Sequence, residues 1–238
     1  MDASTRVTEL RASQGAQWIA ESFRMFRAQP IQWMGLTAGW ISITFGLLVI
    51  PFLGGVLANF LQPAFFASFA IAGYKQSAGE RIAMGDLFSG FRRQMRSQVN
   101  LGAVLLLAEI AIFAIMAAIG LPIANDGEPF SMADYVEALQ GKEWILAFGF
   151  LLTVIVKGAL WFAPPLIAFH GMPTMHAIRW SIYAALANLG TMMVYGAILL
   201  LLFFAGVIPW GLGLIVVLPI AAISTFVGYR DVFEPTRA

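Results

Sequence analysis

Apolar positions fill this chain in six long runs, at residues 31–50, 56–74, 99–120, 144–170, 188–208 and 210–229. Each is long enough to cross a hydrocarbon core of about 30 Å as an α-helix. Between the runs the pattern becomes amphipathic with helical period. Residues 12–29 place Trp18, Ile19, Ser22, Phe23 and Phe26 on one face, with Gln14, Gln17, Glu21 and Arg24 largely on the other. That predicts a helix lying in the membrane interface, closed by Pro30. In residues 75–98, Met84, Leu87, Phe88, Phe91 and Met95 share a stripe that Arg92, Arg93 and Arg96 mostly avoid, which predicts a second interfacial helix. Residues 173–187 predict a third, with Met175, Ile178 and Ile182 facing lipid or protein and Arg179 facing water. The connection from 121 to 143 holds a short helix, from a capping-box start at Ser131 and Asp134 to a stop at Gly141. The expected fold is all-α: one transmembrane domain, 1–238, of six transmembrane helices in three hairpins with interfacial helices on the cytoplasmic side.

Composition agrees with the pattern. Hydrophobic residues make up 60% of the chain and charged residues 11%, against about 25% in soluble domains. Cysteine is absent, which excludes disulfides, thiol nucleophiles and zinc–thiolate sites. Residues 1–29 are polar and mixed in charge, so no cleavable signal peptide is expected. The net charge of +1 says little, but its distribution says more. Six spans put both termini on one side, with Arg6, Arg11, Arg24, Arg27, Lys75, Arg81, Arg92, Arg93, Arg96, Arg179, Arg230 and Arg237; Lys142 alone falls opposite, and Lys157 lies within a span. The positive-inside rule then places both termini on the cytoplasmic side.

An internal repeat runs through the chain. Residues 49–55, VIPFLGG, match residues 207–213, VIPWGLG, and each turn leads into a run containing proline and ending Gly-Tyr-cation, at Gly73-Tyr74-Lys75 and Gly228-Tyr229-Arg230. Asn100-Leu101-Gly102 likewise matches Asn188-Leu189-Gly190. Three parallel units follow, at about 12–75, 83–170 and 173–230. Gly35, Gly39, Ala114, Ala117 and Ala118 are small enough for close helix approach within the chain or between copies.

Two of the long runs carry one ionisable residue each, Glu109 and Lys157, at similar depth. Such residues mark either a clasp between two helices or a proton, ion or substrate pathway. Arg92, Arg93 and Arg96, beside Phe88 and Phe91, form a lipid- or partner-facing basic cluster suited to anionic head groups, or serve only as the cytoplasmic anchor. His170, Met172, Met175 and His176 gather soft donors that suit Cu(I), though interfacial methionines and histidines are ordinary and Pro173 breaks their helical face. No metal site and no cofactor is therefore assigned. No phosphate loop, zinc-protease motif or Ser-His-Asp set is present, so neither an enzyme nor a nucleic-acid partner is expected.

The ending V216-V-L-P219 with Gly228-Tyr229-Arg230-Asp231, the segment L160-W-F-A-P164 before His170, and A177-I-R-W180-S181 resemble an uncharacterised group of proteobacterial six-helix inner-membrane proteins. A wider likeness is to bacterial membrane domains such as the one fused to some glycerophosphodiester phosphodiesterases. The resemblance implies a fold and a location, and brings no catalytic residue. The expected function is a non-catalytic inner-membrane module that binds lipid or a partner, either a membrane protein or a second copy. The alternative is a small carrier or lipid-handling protein with a pathway through Glu109 and Lys157.

Overall fold

A continuous backbone hydrogen-bond ladder is the only way an apolar run can hide its peptide groups from lipid, and helices dominate this structure for that reason. The computed structural model describes residues 6–51, 53–122 and 132–233. In chain order its helices are α1 (Gln14–Ala28), α2 (Pro30–Leu48), α3 (Leu53–Ser77), α4 (Met95–Ala118), α5 (Met132–Leu139), α6 (Glu143–Ala159), α7 (Ala163–His170), α8 (Thr174–Ala187), α9 (Leu189–Val207) and α10 (Leu214–Phe233). No strand occurs among the described residues. Among the described residues, six stretches are long and apolar enough to span a membrane: α2, α3, α4, α6 with α7, α9 and α10. Asp126, Glu128 and Ser131 of the expected acidic loop lie outside the described residues.

α3 and α10 form the axis, and they are the most buried of the six. Each contains a proline, Pro63 or Pro219, and they cross where Gly73 meets Phe226. A Cβ on Gly73 would lie 2.6 Å from the Cβ of Phe226, so only glycine permits this contact. Near the same end, Trp18, Trp33, Phe69, Phe162, Phe226 and Tyr229 form the best-buried part of the core. We call this the terminal end. At the opposite, loop end, Val49, Ile208 and Trp210 are 80%, 82% and 99% exposed, so the helices there offer their apolar surface outward.

The elements between the spans pack in a ring. α8 sits against α6 and α7; the segment 84–92 sits against α2 and α3; and α1, at the start of the chain, sits against α9 and α10. Closure is polar as well as apolar. Leu10 N donates to Asn188 Oδ1 at 2.8 Å, Thr8 N donates to the Val232 carbonyl at 2.8 Å, and Thr191 Oγ1 donates to the Arg11 carbonyl at 3.1 Å.

Three details depart from the sequence reading. The fourth run is not one helix: Pro164 and Pro165 cannot donate to carbonyls one turn back, so α6 ends at Ala159 and α7 restarts with the prolines in its first turn. Ser181 of α8 closes the gap, its hydroxyl donating to the Ala159 carbonyl at 2.7 Å and accepting from Phe162 N at 3.1 Å. The stretch expected as the second interfacial helix forms two 3₁₀ turns, Met84–Phe88 and Gly90–Arg92, because Gly85, Ser89 and Gly90 are poor helix formers. Gly90 instead presses its backbone on α3, donating to Ser68 Oγ at 2.9 Å. α8 buries Ala177, Ile178, Ser181 and Ala184, leaving Met175 and Ile182 exposed. Gly35 and Gly39 meet Met84 and Leu87 of the 3₁₀ segment, while close interhelical approaches fall at Gly15, Gly54, Gly73, Gly102 and Gly149.

Candidate functional site

Proline 63 and the polar residues before it make the most unusual place in the apolar layer. Lacking an N–H, Pro63 leaves the carbonyl of Asn59 without its helical donor. α4 runs directly over this spot, where a Cβ on Gly102 would lie 2.7 Å from that carbonyl oxygen and 2.6 Å from the Cα of Phe60. One turn of α4 holds about 3.6 residues, so Glu109, two turns beyond Gly102, falls on nearly the same side of α4 and lines one cleft with Asn59 and Gln62. From α6, Lys157 Nζ reaches Glu109 Oε1 at 2.9 Å and Gln62 Oε1 at 3.3 Å. The two lone ionisable residues of the sequence are thus brought together, with a glutamine that sequence reasoning missed. A polar residue directly before a mid-span proline was the signal.

This pair is not sealed inside the protein. The side chains are 40% (Lys157) and 33% (Glu109) exposed. Next to Glu109 lies a cleft of about 130 Å³ lined by Trp40 and Thr44 of α2, Ala58, Asn59 and Gln62 of α3, and Glu109 itself. At about 1.5 Å per residue, Thr44 and Asn59 lie about 6 and 9 Å from the loop ends of their helices, and Gln62 and Glu109 about 14 Å. The cleft therefore runs along α2 and α3, past positions 40–44 and 58–62, to the carboxylate of Glu109. Asn59 Nδ2 donates to the Gly55 carbonyl at 3.2 Å, but the Thr44 hydroxyl and Trp40 indole N–H have no hydrogen-bond partner among the described residues.

The basic cluster lies at the other end. Arg92, Arg93 and Arg96 are exposed and form no ion pair among the described residues. They are turned outward by Gln94, whose φ of +52° sets the corner before α4. Phe91 packs on Phe65, with Phe88 half-exposed beside it. Two other cations at this end are paired. Lys75 binds Asp86 at 3.0 Å, and Arg230 grips both oxygens of Glu21 at 2.7 and 3.0 Å. That guanidinium hydrogen bond holds the Glu21 carboxyl below its ordinary value. Asp231 next to it accepts from Gln14 Nε2 and Trp18 Nε1, at 3.0 and 3.1 Å.

The soft donors separate. His170 closes α7 with Nε2 2.8 Å from the Tyr229 hydroxyl, and Gly171 at φ +64° and Pro173 turn the chain before α8. Met172 is buried and Met175 exposed. His176 lines a shallow groove of about 460 Å³ with Arg179, Trp180 and Tyr183. Among the described residues no three of His, Cys, Asp or Glu cluster in a way that suits a metal ion.

No protein-family model matches the chain, and no solved structure matches it. A probable inner membrane protein of Burkholderia thailandensis is 25% identical over 213 residues, covering 84% of this chain and 76% of that protein. The expected tie to the membrane domain of glycerophosphodiester phosphodiesterases rests on short motifs alone. Six apolar helices of spanning length, taken with this likeness, make the chain an integral inner-membrane protein.

Proposed function

We propose that this protein is a non-catalytic membrane module whose basic rim, at the terminal end, binds anionic lipid head groups from the cytoplasmic side. The observation that carries this reading is the set of Arg92, Arg93 and Arg96: exposed, free of carboxylates, and flanked by Phe88 and Phe91. Near an anionic bilayer surface each such arginine contributes about 1 kcal/mol. Three together amount to about two orders of magnitude in affinity. Orientation follows the positive-inside rule, with both termini cytoplasmic. The spans pair as three hairpins, with α1, the 3₁₀ segment and α8 as a collar. Duplication of one unit is supported by a parallel between α3 and α10: the residue after each Gly-Tyr-cation, Gln76 or Asp231, accepts an indole N–H, from Trp33 at 2.8 Å or Trp18 at 3.1 Å. A protein partner or second copy is the competing occupant of the rim.

The test is titration of delipidated protein with short-chain phosphatidylglycerol. Replacing Arg92, Arg93 and Arg96 together by glutamate abolishes saturable binding if the rim is the site. Unchanged affinity, with the protein still folded, overturns the proposal. A second reading, a small carrier or lipid-handling protein, is favoured by the cleft that reaches Glu109.

A further inference from the structure

A carboxylate and an ammonium in contact, reachable from outside and set beside uncommitted polar groups, form a balanced pair that can exchange partners. We propose that the cleft beside Glu109 and Lys157 binds the zwitterionic headgroup of a membrane phospholipid, its ammonium passing to Glu109 and its phosphate to Lys157; this rests on the lipid-handling reading above. Charge selects the ligand class. A purely anionic group engaging Lys157 would strand Glu109 without its partner, and a purely cationic one would strand Lys157. Leaving one member of an ion pair unpaired in a low-dielectric site is strongly unfavourable. A ligand carrying both charges replaces one ion pair by two.

Access and size agree. Exposure of 33% and 40% on the paired side chains gives a headgroup a lateral approach from the bilayer. The cleft of about 130 Å³ is worth about four waters at roughly 30 Å³ each. That accommodates the ammonium end of a headgroup while the acyl chains stay among the lipids outside. Around it stand neutral groups with capacity to spare: the Thr44 hydroxyl, the Trp40 N–H, Asn59 Oδ1 and the Gln62 amide N–H₂, whose Oε1 already takes Lys157. Asn59 Oδ1 and the Thr44 hydroxyl oxygen can accept from the ammonium, while the Trp40 N–H and the Gln62 amide can donate to phosphate oxygens. A polar lining of this kind is costly against hydrocarbon unless something polar fills it.

Native mass spectrometry of the full chain, released from nanodiscs of equal phosphatidylethanolamine and phosphatidylglycerol, tests the site. The wild type should retain phosphatidylethanolamine in preference. The double variant Glu109→Gln with Lys157→Met should lose that preference about tenfold, the effect of one charge-assisted contact. A second variant, Thr44→Val with Asn59→Leu, keeps the ion pair and narrows the cleft, and should lose it too. Equal retention of the two lipids by the wild type, or an undiminished preference in a folded form of either variant, overturns the proposal. Soluble phosphoethanolamine is the competing arm: displacement of the lipid at matched concentration would overturn the membrane source. Flip-flop of a fluorescent phosphatidylethanolamine in vesicles reads the lipid-handling role separately. Headgroup selectivity without accelerated flip-flop would sink that role and leave the site standing.

Discussion

Removing the Ser181 hydroxyl should loosen the fourth span at its break. Ser181 is fully buried, and its oxygen serves two backbone groups at once, the Ala159 carbonyl at 2.7 Å and the Phe162 N–H at 3.1 Å. In Ser181→Ala both lose their partner in a place water does not reach. An ordinary hydrogen bond is worth about 0.5–1.5 kcal/mol net, and a stranded buried group costs about 1–3 kcal/mol. Interhelical hydrogen bonds in membrane proteins average nearer 0.6 kcal/mol, since the unfolded chain in lipid finds other partners. Weighing these, the expected loss is about 2 kcal/mol, a factor of about thirty in the folded-to-unfolded ratio. Reversible unfolding in mixed micelles measures it, with Ser181→Thr expected to keep most of the stability. A loss under about 0.5 kcal/mol for alanine would refute the claim that one hydroxyl supports the break.

Three further outcomes follow. Gly73→Ala should cost about 1–3 kcal/mol by overpacking against Phe226, read by the same reversible unfolding. Trp18→Phe loses both the N–H to Asp231 and part of a fully buried ring, so thermal unfolding should show a loss of about 2–3 kcal/mol. The Glu21–Arg230 pair should make stability acid-sensitive: because folding lowers the Glu21 value, its contribution is complete above the ordinary 4.5 and is lost as pH falls through the lowered value. Glu21→Gln should flatten the unfolding profile below that point, and an identical acid profile in the variant would disprove the linkage.

The six spans were legible because a bilayer imposes length and apolarity residue by residue, and the structure moves their ends by a few positions only. Glu109 and Lys157 were legible as a pair for the same reason: a lone charge in an apolar run needs a partner at its own depth. Gln62, Asn59 and Thr44 were not, since an amide or hydroxyl in a span reads as packing until a neighbouring helix brings others to it. Residues 84–92 misled because their apolar stripe has helical spacing, while Gly90 gains more by seating on Ser68 than a regular turn would supply. The break at residues 160–162 was signalled by Pro164 and Pro165, yet its remedy comes from Ser181, a contact no local pattern contains.

Chain order gives the ring a consequence for biogenesis. Residues 7–28 leave the ribosome well before the groups they rest on, Asn188, Thr191, Tyr195 and Asp231, are synthesised. Through most of translation the indole of Trp18 has no pocket, so the first helix must wait, undocked, until the last two spans insert. A stalled or shortened product therefore displays its leading helix as unfinished business for proteases, whereas a completed one tucks it away.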